Sequence, residues 1–343
     1  MIKRSIIVLM AALLLFGTTG VAQGAERRNV LLAAYSVPKE VYEKRIIPAF
    51  ERDWKQRTGE TIRISASFAA SGAQARAILG GLEADVAALS LENDLQQLVK
   101  GGLVRPDWKK APHNGIVTTS VVVIGVRKGN PKQIKGWEDL TRSGVDVLYP
   151  SPKTSGGAMW DIAAIYGAGL KLARTQSLSN DAAEAFAARL VKDVQRNVKV
   201  MDKSGRESVT TFERGIGDAI VTYENELVPR VKEGRPYEII VPAQTILVEN
   251  PVAVVERHAD RHQVRDVAEA FVSFLFTEEA QRAFADFGFR PVHLAAAGTV
   301  TAFVRPLDLF TLSDLGGWDR VFESLFSPRG LWTAAVEDLA RNR

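Results

Sequence analysis

Ser155, Gly156 and Gly157 fall where a strand-like run, Val145 to Tyr149, gives way to a helix-like run from Ala158 to Leu170. A Ser-Gly-Gly step there presents successive backbone N–H groups and a hydroxyl at a helix start. Those donors have no intrahelical partner, the dipole end favours negative charge, and two residues lack a Cβ that would hold a ligand away. Such a junction can bind an anion. The same residues also suit a plain tight turn.

Other residues invite catalytic readings. Many serines could join His113, His258, His262 or His293 and an aspartate in an exported hydrolase. No Gly-x-Ser-x-Gly elbow is present. His258 and His262 have i,i+4 spacing, but Ala259 follows His258 where a zinc protease helix carries glutamate. The run from Glu256 to His262 reads instead as a solvated charged face. The chain has no cysteine, which excludes disulfides, thiol catalysis and a lipid-anchored N-terminus. No metal or cofactor is implied, and the chain is not read as an enzyme.

The elements that must position the socket follow from hydrophobic patterning. Residues 1–24 read as an export signal: Lys3 and Arg4, an apolar run from Ile6 to Phe16, and a small-residue site at Ala22-Gln-Gly24. The mature chain then starts at Ala25 or Glu26, outside the cytoplasm. Losing Lys3 and Arg4 takes the formal charge from +4 to +2, too balanced to argue for nucleic acid. Asn29 to Tyr35, Thr61 to Ala66 and Asp85 to Leu89 read as strands. Between them lie a helix over Lys39–Gln56, kinked at Pro48, and one opening at Ser71 as N-cap. A further helix ends near Gly101-Gly102.

The second half repeats this style. Ser120 to Val126, Val198 to Met201, Ala219 to Tyr223, Ile239 to Pro242 and Thr245 to Val255 are strand-like. Asp181–Gln195, Ser208–Arg214, Val267–Phe276 and Glu279–Phe287 are helical. Trp137, Trp318 and Trp332 read as core or rim aromatics. The alternation argues for α/β lobes, each a mostly parallel sheet flanked by helices. Two strand-rich passages, near 117–126 and 245–255, serve as crossings. One lobe then comprises 25–118 plus 246–343, the other 119–245, with a ligand cleft between them at strand carboxyl ends.

A set of stretches in this order resembles the periplasmic sulfate-binding proteins that feed ABC importers. They are Ala70-Ser-Gly-Ala-Gln-Ala-Arg-Ala77, Gly81-Leu-Glu-Ala-Asp-Val86, Val126-Arg-Lys-Gly-Asn-Pro131 and Pro152-Lys-Thr-Ser-Gly-Gly-Ala158. Thr210-Thr-Phe-Glu-Arg-Gly-Ile-Gly-Asp218, Tyr223-Glu-Asn-Glu226, Gly288-Phe-Arg-Pro291 and Leu309-Phe-Thr-Leu with Gly316-Gly-Trp318 continue it. The resemblance implies a two-lobed, type II periplasmic binding protein that closes over its ligand. It implies an oxyanion held by serine hydroxyls, helix-start amides and one indole, with no cation in contact.

By motif, the implied contacts are Ser36, Ser71, Ser155, Gly156, Gly157, Gly205 and Tyr223. Tyr223 stands where the family has tryptophan, and Ser36 where it has aspartate. The anion therefore stays open among sulfate, thiosulfate, molybdate and phosphate. Lys153 and Arg206 flank the motif positions and are read as shaping the field and the lobe contact. The implied partner is an ABC permease in the inner membrane, and the implied state is a monomer. A sensor role without import fits the same residues. A donor-only pocket favours sulfate, which can only accept, over hydrogen phosphate, whose proton needs an acceptor.

Overall fold

The computed structural model describes residues 27–292 and 303–341. The export signal at 1–24 and His293 lie outside the described residues. Strands β1 (Asn29–Tyr35), β2 (Arg63–Ala69) and β3 (Val86–Ala88) precede the long β4 (Ile116–Arg127). Then come β5 (Val147–Leu148), β6 (Val198–Val200), β7 (Ala219–Tyr223), β8 (Tyr237–Ile240) and the long β9 (Gln244–Val254). Two short strands, β10 (Arg290–Pro291) and β11 (Asp308–Phe310), complete the set among the described residues.

The strands order as β2-β1-β3-β9-β4-β7-β5-β6. Each wing is parallel: β1 with β2 and β3 on one side, β5 with β6 and β7 on the other. The joints are antiparallel, β3 with β9, β9 with β4 and β4 with β7. Two α/β lobes thus share β4 and β9 as their seam, where Ser120 opposes Val248 and Val121 opposes Leu247. The β-branched run Val121-Val-Val-Ile124 is fully buried there, as a strand covered on both faces requires.

Helices follow the parallel strands. A helical rod after β1 comprises α1 (Lys39–Val41), a π-turn (Tyr42–Ile46) and α2 (Ile47–Thr58). Pro48 sits in the first turn of α2, and the wide turn just before it absorbs the hydrogen bond that a proline cannot make. The expected kink is therefore a π-turn.

Next come α3 (Ser71–Leu79), α4 (Glu92–Lys100), α5 (Gly156–Thr175), α6 (Asn180–Arg196), α7 (Gly205–Glu213) and α8 (Glu224–Lys232). The remaining ones are α9 (Glu256–Arg261), α10 (Arg265–Phe274), α11 (Glu278–Asp286), α12 (Gly317–Val321) and α13 (Leu331–Arg341). Phe50, Phe271, Phe284 and Tyr42 form the aromatic heart of the first lobe, with Tyr42 edge-on to Phe284 at 5.7 Å.

The run Glu256–His262 is a solvated charged face only on one side, through Arg257, Asp260 and Arg261, while Glu256, His258 and Ala259 are buried. It forms α9 and packs on the loop before β3. His258 is buried with Nδ1 3.0 Å from the Ala84 carbonyl, and Glu256 accepts from the Arg105 N–H at 3.0 Å. Trp137, Trp318 and Trp332 are all buried. Trp318 meets Trp160 edge-on at 4.7 Å, and the Trp332 indole donates to the Tyr149 hydroxyl at 3.0 Å. The C-terminal segment thus braces α5 and α6. No described helix is long and apolar enough to cross a membrane.

Candidate ligand-binding site

The carboxyl ends of parallel strands from both lobes converge on one cavity. From the first lobe come Tyr35 ending β1 with Ser36 and Val37 after it, Ala70 and Ser71 after β2, and Ser90 after β3. From the second come Pro150, Ser155, Gly157 and Asp161 beyond β5, Gly205 beyond β6, and Thr222 and Tyr223 ending β7. The space is tight, about 10 Å³ for the centre of a water-sized sphere. Among the described residues no lysine, arginine or histidine lines it. Six of the seven sequence candidates meet here; Gly156 stands just behind the wall.

Three helices start at this wall: α3 at Ser71, α5 at Gly156 and α7 at Gly205. The first N–H groups of each have no intrahelical acceptor, and the three positive dipole ends face a common space. Ser155 is the N-cap of α5. Its oxygen accepts from the Ala158 N–H at 3.4 Å, which leaves its own O–H to donate elsewhere. Ser204 caps α7 in the same way, accepting from the Glu207 N–H at 3.2 Å.

Ser71 is not the N-cap that its position suggests. Ala70 holds that place, and Ser71 is the first helical residue. Its hydroxyl donates to Asp94 Oδ2 at 2.6 Å and accepts the Ser90 N–H at 2.9 Å. The hydroxyl is therefore committed, and Ser71 offers the cavity its backbone N–H. Burial pushes the Asp94 carboxyl up to about 6, against the Ser71 hydroxyl and Arg76, which favour its charge.

Tyr223 stays a neutral donor at any physiological pH. Burial, reinforced by the nearby Asp161 carboxyl, pushes its phenol well above the ordinary value. Its hydroxyl lies 3.4 Å from Ser90 Oγ. Around the site the lobes are in direct contact. The Trp160 indole donates across to the Ser90 carbonyl at 2.8 Å, which also accepts from Asn250 on its own side at 3.0 Å. Arg206 pairs with Glu40 and donates to the Val37 carbonyl at 2.8 Å, so it clamps the lobes and stays out of the cavity lining. Its second partner, Glu226, is fully buried and also meets Arg230 at 3.0 Å.

Glycine is required at 156 by this lobe contact. A Cβ there would sit 2.5 Å from Leu91 and 2.6 Å from Ser90 Oγ. At 157 a Cβ would point at Ser155 Oγ, 3.2 Å away, and the Tyr223 hydroxyl, 3.6 Å away, inside the cavity.

Sequence reasoning missed Ser90, Thr222 and Asp161. Ser90 and Thr222 sit at the ends of strands that were recognised, so the rule that ligands gather at strand carboxyl ends could have found them. Asp161 is a lone acid in an otherwise apolar stretch of helix, four residues after Gly157. The hydrolase alternative needs a serine paired with histidine; among the described residues no hydrogen bond joins the two. His262 sits instead between Asp85 and Glu83, at 2.7 and 3.0 Å.

Two α/β lobes with a shared two-strand seam and a polar cavity between them define a solute-binding protein of the two-lobed, type II kind. Residues 30–290 match the bacterial extracellular solute-binding protein family, and the chain belongs to it. It is 40% identical over 318 residues to a sulfate-binding protein of Synechococcus elongatus, covering 92% of this chain and 88% of the relative. It is 34% identical to a thiosulfate-binding protein of Escherichia coli, with 96% of each covered. The solved sulfate-binding protein SubI of Mycobacterium tuberculosis superposes with a TM-score of 0.79 at 37% identity, covering 88% of this chain and all of that one.

Proposed function

We propose that this chain captures sulfate between its lobes and delivers it to an ABC permease, as the exported, periplasmic component of an importer. Residues 1–24 act as the cleaved signal, and the mature protein works as a monomer. The lobes are 25–118 with 246–343, and 119–245, the chain crossing between them on β4 and β9. The C-terminal helix α13 reaches over to rest on α6 of the second lobe. The ligand contacts are Ser36, Ser155 and Tyr223 through their side chains, and Ser71, Gly156, Gly157 and Gly205 through backbone N–H groups.

The observation that carries this reading is the convergence of three helix starts on a small cavity lined by no cationic side chain among the described residues. A buried dianion costs several kcal/mol even after relaxation, so its hydration shell must be replaced nearly completely. Helix-start amides and hydroxyls do this without rearrangement, each charge-assisted bond contributing about 1.5–3 kcal/mol. The cycle has no chemical step. Closure is a population shift toward the state in which both lobes' donors reach the anion.

Thiosulfate is the second reading, favoured by the relatives named for it at 34–35% identity. A thermal-shift and calorimetry panel of sulfate, thiosulfate, molybdate, selenate and phosphate on the mature protein tests both. Sulfate should raise the melting temperature most, with a Kd near 1 μM, about −8 kcal/mol. Failure of every oxyanion to bind sinks the proposal; a preference for thiosulfate selects the second reading.

A further inference from the structure

We propose that Asp161 is a further ligand-binding residue of this cavity, meeting the oxyanion as a neutral carboxyl that donates its O–H. The inference rests on the oxyanion reading above. Asp161 lies one helical turn after Gly157, so both occupy the same face of α5, and both line the cavity. The residue is 1% exposed, and its Oδ1 has no hydrogen-bond partner among the described residues. A buried carboxyl oxygen left unmatched beside a polar cavity marks a group whose partner is the ligand.

The charge state follows from its surroundings. Among the described residues no lysine or arginine lines the cavity to offset a carboxylate. A carboxylate and a doubly negative guest in one enclosed space repel strongly, and the cheaper state is one proton on the carboxyl. Burial alone already pushes the Asp161 carboxyl well above the usual carboxylate range. The titratable groups that face it are Tyr223 ending β7 and Tyr149 beyond β5, both phenols pushed upward by burial. No charged side chain of α3, α6, β4, β7 or β9, the elements packed on α5, acts on it. Asp94, beyond Tyr223 on α4, titrates near 6 and so below the range used here.

A neutral carboxyl gives the dianion one more donor and couples its capture to a proton. When the free protein holds Asp161 ionised, each sulfate that binds brings one proton onto it. Affinity then falls as pH rises, by up to ~tenfold per unit, the limit for one linked proton.

The test is sulfate calorimetry on the mature protein between pH 7 and 9.5, for the wild type, Asp161→Asn and Asp161→Leu, with melting curves as a folding control. Over the pH range in which the free protein holds Asp161 ionised, the wild type should lose affinity with rising pH and take up protons, read from two buffers of different ionisation enthalpy. Asp161→Asn, a donor that does not titrate, should flatten that slope. Asp161→Leu should bind ~10- to 100-fold more weakly at pH 7, the loss of one charge-assisted bond. Asp161→Leu at wild-type affinity, or a wild-type loss of affinity with pH that Asp161→Asn leaves in place, overturns the inference and leaves the sulfate site standing. Phosphate bound as tightly as sulfate, and lost in Asp161→Asn, also overturns it, because Asp161 would then be an acceptor. A wild type that binds no oxyanion at any pH overturns the site reading as well.

Discussion

Replacing Gly157 by alanine separates the cavity from the fold. The position is helical, so alanine fits the backbone and favours the helix by up to about 1 kcal/mol. The added Cβ lies 3.2 Å from Ser155 Oγ and 3.6 Å from the Tyr223 hydroxyl. Ser155 can yield, since its capping bond to Ala158 is already long at 3.4 Å. The methyl therefore enters the space where the anion is proposed to sit. Displacing the anion from one donor forfeits about 1.5–3 kcal/mol, or ~10- to 150-fold in Kd. Calorimetry with sulfate should show that loss while the ligand-free melting temperature holds or rises. Two neighbours calibrate the result. Alanine at Gly205 meets nothing nearer than Val37 Cγ2 at 3.8 Å, so its effect should be much smaller. Alanine at Gly156 collides with Leu91 and Ser90 of the facing lobe, so it should weaken binding by opposing closure. Wild-type affinity in Gly157→Ala would remove the cavity from the binding account.

Ser155→Ala removes both the α5 cap and a proposed ligand donor. It should cost about 1 kcal/mol of stability in urea melts and weaken sulfate binding by about 1–3 kcal/mol; unchanged affinity would take Ser155 out of the site. Glu40→Gln unpairs Arg206 across the lobes without exposing Glu226, which keeps Arg230. Glu40 is 36% exposed, so the expected loss is about 0.2–1 kcal/mol of affinity, with the ligand-free melt unchanged and small-angle scattering shifted toward an open form. His262 is held by Glu83 first and Asp85 second, which raise its pKa above the ordinary 6.5 against partial burial. A raised folded pKa stabilises fully below the unfolded value and fades as pH climbs through the folded one. His262→Gln should therefore lower the urea midpoint more at pH 5.5 than at pH 8.5, and an equal drop at both would contradict the pairing.

Much of the fold is legible because its signals are local. The β1 run Asn29–Tyr35 and the β7 run Ala219–Tyr223 stand where hydrophobic patterning puts them. The π-turn before Pro48 is less so, because a missing donor says that the ladder must change without saying how. The helix α8 escapes patterning: Glu224, Asn225 and Glu226 look solvent-bound, yet all three are buried, Glu224 paired with Arg290, and Glu226 with Arg206 from elsewhere and with Arg230 of its own helix.

The same division runs through the site. Its amide half is readable, since Ser-Gly-Gly and Ser204-Gly205 are contiguous stretches whose geometry any helix start repeats. Its side-chain half is not. Whether a hydroxyl serves the ligand depends on who else claims it, and the claimants are distant in sequence. Ser71 looks like a donor until Asp94 and Ser90 take its hydroxyl. Ser90 looks like an ordinary loop serine until Ser71, Trp160, Tyr223 and Asn250, from four separate segments, close on it. Asp161 has the opposite fate: nothing in the described protein engages its Oδ1, and that lack of a partner, invisible along the chain, is what brings it into the proposed site.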